Sequence, residues 1–346
     1  LSGIGLVRDA PYTGPRVIDP VGAALSVMGM GGIVLGILVW QEGGEAVGAL
    51  VLIGLAALGA LVRWLVRGKA RGRPTLIDPD LFRSAVFRLG ITGQTAQQVA
   101  LGGTMIALPI YFQMVLEYDA MRAGLSLAPL SLTMFGVAII AGRKAEGHRP
   151  SHIIRWGFAL MTAGVLVLLP VIPRAHSGWW FVAPLVIVGA GLGLLVSQLN
   201  NYTLAPVSDE RVSEAAGVNS AGGSFGLSFG LAFAGAVMLA TLSLTFTAMA
   251  EDSAILPPDD QQRVSEALDD DAEVLSNSQL EQLLAGETDE VQQEIVRINT
   301  DARPLALQVA LLVPLSAALV GLFTSFRMAR LPEPEQSADR EEATWA

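Results

Sequence analysis

Apolar residues along this chain gather into eight runs, at about 20 to 40, 46 to 66, 88 to 116, 122 to 141, 153 to 172, 180 to 205, 214 to 249 and 304 to 326. Charge, proline or glycine bounds each of them. A helix needs roughly 20 such residues to cross the hydrocarbon of a bilayer. In that solvent the backbone must satisfy its own N–H and C=O groups, which a helix does within one segment. The pattern therefore predicts eight transmembrane helices, the seventh long enough to project past the bilayer or to start in its interface.

Composition agrees with a lipid solvent. Hydrophobic types make up 52% of the 346 residues and charged types only 16%, too few to cover a soluble globule of this length. The absence of Cys removes disulfides, thiolate metal sites and Cys nucleophiles together.

Charge adds an orientation. If the chain alternates sides at each span, 17 of the 22 Lys and Arg fall on one face, including the clusters Arg63 to Arg73 and Arg143 to Arg155. The other face keeps Arg122, Arg174, Arg263, Arg297 and Arg303. The positive-inside rule makes the rich face cytoplasmic, with both ends of the chain there, in the cell membrane. The opposite face receives 15 of the 32 acids between Glu251 and Asp301, among them Asp269, Asp270, Asp271 and Glu273. Val264 and Leu268, then Leu280, Leu283 and Leu284, then Val291, Ile295 and Ile298 recur there at helical spacing, so short amphipathic helices are expected. The run lacks the D-x-D-x-D-G frame of a calcium loop and reads as solvated surface.

These readings divide the chain into a cytoplasmic lead-in (1–19), two spacer helices (20–66), a basic cytoplasmic loop (67–87) and five helices (88–249). An acidic external insert (250–303), a last helix (304–326) and a cytoplasmic tail (327–346) follow. No charged and apolar leader opens the chain: Arg8 to Asp19 is polar and contains proline.

The third helix and its exit carry Leu108-Pro109-Ile110-Tyr111-Phe112-Gln113, Val115-Leu116, Ala123-Gly124 and Pro129. This run resembles the pattern LPLYLQ-x-V-L-G-x-S-x-x-x-A-G-x-x-L-x-P that opens the carboxy-terminal half of the fourteen-helix drug/proton antiporters of the major facilitator superfamily, the EmrB/QacA type. Gly189, Gly191 and Gly193, then Pro206, Glu210, Arg211, Ala216 and Gly217, resemble the family's Gly-rich tenth helix of the twelve-helix core, its cytoplasmic turn and the start of the next helix. Glu117 stands where the family has Gly. The segment Asn219 to Gly226 lacks the family's Arg and Gln, and Gly142 to Arg149 lacks its Asp-Arg pair. The resemblance implies an all-α membrane fold, a carboxy-terminal six-helix bundle preceded by two spacer transmembrane helices. It also implies that the chain corresponds to the last eight of fourteen helices, with the amino-terminal helices as its partner. The implied activity is export of small amphipathic or lipophilic compounds by alternating access around a midplane site. A lipid exporter of the same superfamily fits these residues equally well.

The residues themselves point to a polar face. Helical spacing puts Gln94, Gln97 and Gln98 on one side of the third helix, with Thr104 one to two turns on. Gln98 lies about 15 Å from Arg88, near the middle of a core roughly 30 Å thick. Such amides should face a polar cavity or another helix, not acyl chains. Ser197, Gln198, Asn200, Asn201 and Tyr202 form a second cluster, in which adjacent Asn residues diverge by about 100°; Asn201 is taken for the pathway. Pro109 is expected to bend its helix. Gly189 and Gly193, and Gly222, Gly226 and Gly230, form small-xxx-small stripes for close helix packing.

Enzymatic readings fail. Gly222 to Gly226 fits G-x-S-x-G, but a nucleophile elbow needs a strand-to-helix turn and a His base, and this segment reads as helix. His148, His152 and His176 lie in loops or at a span edge, on opposite sides, so neither a Ser-His pair nor a three-His zinc site can assemble. No cofactor, metal or nucleic acid is called for. None of the spans carries Asp, Glu, Lys or His near its centre, while Arg63 and Arg88 lie near enough to an end to snorkel. Proton coupling, which amides cannot carry, is therefore expected of the amino-terminal helices. The other reading is a non-transporting membrane subunit whose acidic insert docks a partner.

Overall fold

A computed structural model describes residues 19–41, 46–73, 75–144, 148–253, 255 and 288–332. It is helical, with no strand among those residues: α1 (Pro20–Gln41), α2 (Val47–Ala70), α3 (Ala85–Met114), α4 (Ala120–Arg143), α5 (Pro150–Val171), α6 (Val182–Leu204), α7 (Val212–Glu251), α8 (Asp289–Ala310) and α9 (Leu312–Met328). The expected lead-in, the Val264 and Leu280 helices and most of the tail lie outside the described residues.

Among the described residues seven helical segments are long and apolar enough to cross a membrane: α1, α2, α4, α5, α6, α7 and the nearly continuous α8–α9. The eighth expected span, α3, falls short on apolarity although it runs for 30 residues. The reason is its place in the fold. It lies inside the bundle, packed on α6, α7 and α9, so helix surfaces and not lipid surround much of it, and its amides need no acyl-chain solvent.

The α1–α2 hairpin closes on small residues; a Cβ on Gly32 would lie 3.0 Å from the Gly54 Cα. Asp19 fastens its end, accepting from Gly22 N at 2.8 Å, Leu76 N at 3.0 Å and Trp64 Nε1 at 3.1 Å. A charged network then ties the hairpin to the six-helix bundle. Lys69 pairs with Asp78 and Asp80. Asp78 also meets Arg211 at 3.1 Å, and Glu214 accepts from the Asp78 N–H. Burial pushes the Asp78 carboxyl up, but Lys69, the Asp80 N–H and Arg211 together bring it below its ordinary range.

At the opposite end, α7 is 40 residues long, about 60 Å at 1.5 Å per residue, twice the hydrocarbon thickness. Its last turns pack Phe246 and Ala250 against Val291, Ile295 and Ile298 of α8. The final helical unit thus begins at Asp289 instead of residue 304, with Pro304 inside it. Buried Glu294 accepts from Ser253 Oγ at 2.8 Å and from Arg297 Nη2 at 2.7 Å, closing the tip of this hairpin.

The exit from α3 accounts for one departure from the resembled pattern. Glu117 has φ 51°, in the left-handed region, and the next residue turns its N–H back to Phe112 O at 2.9 Å. This is a helix-terminating position where a Cβ costs about 1–2 kcal/mol, which explains why glycine is the residue of the pattern. Glu117→Gly is expected to stabilise the protein by about 1 kcal/mol, since the relief of strain exceeds the added freedom of the unfolded chain. Thermal unfolding in detergent checks it; an unchanged or lower midpoint would contradict the strain argument.

Candidate functional site

The candidate site is a seam of amides where α3, α6 and α7 meet. It forms because α7 presents glycine to α3. A Cβ on Gly226 would lie 2.7 Å from Thr95 O and one on Gly230 2.3 Å from Val99 O, so the two backbones nearly touch. Gly222 is looser, its added Cβ 3.4 Å from Thr95 Oγ1. On α6, Gly189 and Gly193 serve a different neighbour, their added Cβ atoms 2.4 Å from Leu130 O and 2.6 Å from Met134 O of α4.

That close approach brings Gln94 and Gln98 onto Gly223. A Cβ there would meet Gln94 Nε2 at 3.4 Å and Gln98 Cγ at 3.6 Å. Both glutamines are half-buried. Gln97 points elsewhere and is 4% exposed. The Oε1 atoms of Gln97 and Gln98 are buried without a hydrogen-bond partner among the described residues. A buried acceptor of this kind costs about 1–3 kcal/mol, so the sequence retains it against stability. Thr104 is 1% exposed and donates to Ala100 O at 2.8 Å, which uses its hydroxyl within α3.

The two adjacent asparagines diverge, as their separation of about 100° requires. Asn200, not Asn201, reaches the seam, accepting from Asn219 Nδ2 at 2.9 Å. Both asparagines are exposed, and the Asn201 backbone carbonyl caps the end of α6. Asn219 is buried, with its Oδ1 unpartnered among the described residues. The register accounts for the choice: buried Leu199, Tyr202 and Thr203 face the core, and the turn between them aims position 200 at α7. Pro109 lies inside α3, where it removes one backbone donor; the helix continues across it, with Gln113 Nε2 donating to Pro109 O at 3.3 Å.

Two features escaped the sequence reading. The exposed stripe of α7 beside Gly223 carries Ser220, Ser224 and Ser228, small and hydroxylated, while α4 exposes Met121, Leu125, Leu132 and Phe135. Spacing of four residues could have revealed the serines. Arg303, placed by sequence in the acidic insert, is buried in α8 and donates to Met114 O at 2.9 Å, at the far end of α3. Among the described residues no group of His, Asp and Glu could hold a metal ion.

Comparison with known proteins adds the family. Residues 17–231, more than half of the chain, match the model of the Major Facilitator Superfamily. The chain belongs to that superfamily. Similar members include the "Probable actinorhodin transporter" of Streptomyces coelicolor, 27% identical over 68% of this chain and 42% of that protein. "Probable transport protein HsrA" of Haemophilus influenzae is 26% identical over 56% of this chain and 42% of its own length. A candidate multidrug resistance protein, MdtD of Escherichia coli, is 29% identical over 57% of this chain and 42% of its own. The chain therefore spans less than half the length of these curated relatives. Superfamily membership makes it an integral membrane protein of a transporter family, not an enzyme.

Proposed function

We propose that this chain is part of a secondary active transporter of the fourteen-helix type that exports amphipathic or lipophilic compounds. Its proton coupling would come from amino-terminal helices of the same transporter that lie outside the sequence. It sits in the cell membrane, with its basic end and both of its termini cytoplasmic. The seam of Gln94, Gln98, Asn200 and Asn219 lines the substrate path, with Gln97 and Thr104 behind it, and the α7–α8 tip belongs to the acidic external segment. Relatives named for drug and actinorhodin transport support the substrate class.

One observation carries this reading. Gln94 and Gln98 are half-buried on one face of α3, and Gln98 Oε1 and the Oδ1 of buried Asn219 have no partner among the described residues, yet from α1 to α7 no Asp, Glu, Lys or His lies near the middle of a helix, and Arg63 of α2 is exposed. Amides can offer hydrogen bonds to a changing set of ligands but cannot carry a proton, so the face suits recognition and leaves energy transduction to other helices. Gln94→Ala combined with Gln98→Ala in the full-length transporter is expected to reduce efflux of fluorescent amphiphiles from cells about tenfold, the equivalent of one lost hydrogen bond of about 1.4 kcal/mol. Expression should be unchanged. Wild-type efflux of every substrate tested would refute the lining role.

A further inference from the structure

A cavity of 420 Å³ opens between α3, α7 and α9, its lining containing none of the amides of the seam. Its floor is α3, through Thr92, Thr95 and Val99; its walls are Phe229 and Phe233 of α7 and Ser316 and Val320 of α9. The two phenylalanines stack 5.3 Å apart, backed by α1, whose Trp40 ring lies 6.5 Å from Phe233. The groove is chemically more apolar than its residue types suggest. Thr92 Oγ1 donates to Arg88 O at 2.9 Å, Thr95 Oγ1 to Gly222 O at 3.3 Å and Ser316 Oγ to Val313 O at 2.8 Å. Every lining hydroxyl is thus turned to backbone, leaving methyl and methylene groups toward the opening.

Charge marks one end. Arg88 precedes Thr92 by four residues and Arg327 follows Val320 by seven, so each continues a groove-lining face of its helix. The helices run antiparallel, and a Cβ on Gly93 would meet Met328 Cε at 3.3 Å, which sets both arginines at the same end. Both are exposed and no carboxylate among the described residues pairs with either; Arg88 gives Nη1 to Phe82 O at 2.6 Å and Arg83 O at 3.3 Å. Arg327 lies 4.8 Å above the exposed Phe323 ring. From Arg88 to Val99 is about 16 Å, close to the depth of one leaflet of a core roughly 30 Å thick.

We propose that this groove binds one anionic phospholipid, with an acyl chain along α3 between the phenylalanines and Val320, and the phosphate on Arg88 and Arg327. Charge complementarity selects an anionic head group, and the spent hydroxyls select a hydrocarbon chain over a polar solute. This site stands apart from the amide seam and does not depend on what the protein transports.

The test is native mass spectrometry of the delipidated full chain with phosphatidylglycerol or phosphatidylcholine added. The wild type should retain phosphatidylglycerol in preference. Arg327→Gln, which removes an exposed side chain that stacks only on Phe323, should weaken phosphatidylglycerol about fivefold, from roughly 1 kcal/mol per basic residue at an anionic lipid, and leave phosphatidylcholine unchanged. Val320→Trp, which fills the groove from an exposed position, should remove both adducts while the circular dichroism spectrum persists. Equal retention of the two lipids by the wild type, or an adduct untouched by both variants, would overturn the assignment.

Discussion

Gly230→Val is expected to abolish accumulation of folded protein. The Cβ alone would sit 2.3 Å from Val99 O and 2.8 Å from Val99 Cα, and both are backbone atoms of α3 that no rotamer change can move. Relief requires α3 and α7 to separate. That motion also opens the reciprocal contact, where a Cβ on Gly102 would lie 2.5 Å from Leu227 O, and it unseats Gly226 from Thr95. Overpacking a well-filled core costs about 1–3 kcal/mol where side chains can give way. Here the whole helix pair must give, against a total stability of about 5–15 kcal/mol, and the β-branched side chain adds two methyls. Gly222→Ala is the matched control, because its Cβ would meet only side-chain atoms at ordinary contact distance, Thr95 Oγ1 at 3.4 Å and Ile91 Cγ2 at 3.5 Å; it should accumulate normally. Size-exclusion profiles of detergent-solubilised membranes separate the two. A monodisperse Gly230→Val peak at wild-type abundance would show that the helices are not held by this approach.

The glycine stripes were legible because a small-xxx-small spacing has one physical use in a bilayer. Which neighbour each stripe meets was not: Gly189 and Gly193 pack on α4, while Gly226 and Gly230 pack on α3, and spacing alone carries no partner. Seven of the eight spans followed from apolar length. The α3 helix was expected on the same ground, although its enclosure by other helices lets it keep four glutamines and a lower apolarity. The helix that enters the last expected span reaches back to Asp289, and its polar residues are held by the fold: Glu294 is satisfied within the α7–α8 hairpin and Arg303 lies against α3. The polar seam was half legible. Helical spacing put three glutamines on one side of α3, but a face about 100° wide cannot tell Gln98, beside α7, from Gln97, enclosed in the core. Nor could it choose Asn200 over Asn201 without knowing where α7 lies.

That separation of Gln97 from Gln98 gives the second large effect. Both carry a buried Oε1 with no partner among the described residues, and methionine matches glutamine in length without a polar atom. Each Gln→Met substitution should therefore raise the unfolding midpoint, since removing an unsatisfied buried acceptor recovers part of its cost of about 1–3 kcal/mol. Export should respond differently. Gln98 is half-buried beside Gly223 and Gln94 on the proposed path, so Gln98→Met should lower efflux about tenfold while stabilising the protein. Gln97, 4% exposed, should gain the same stability with efflux unchanged. Melting in detergent and efflux in cells, measured on both variants of the full-length transporter, test the division directly. If Gln97→Met impairs export as severely as Gln98→Met, the two amides act as one polar unit and the path runs deeper into α3 than this conformation exposes. If Gln98→Met stabilises the protein and leaves export intact, the seam is interhelical packing alone and substrate passes elsewhere.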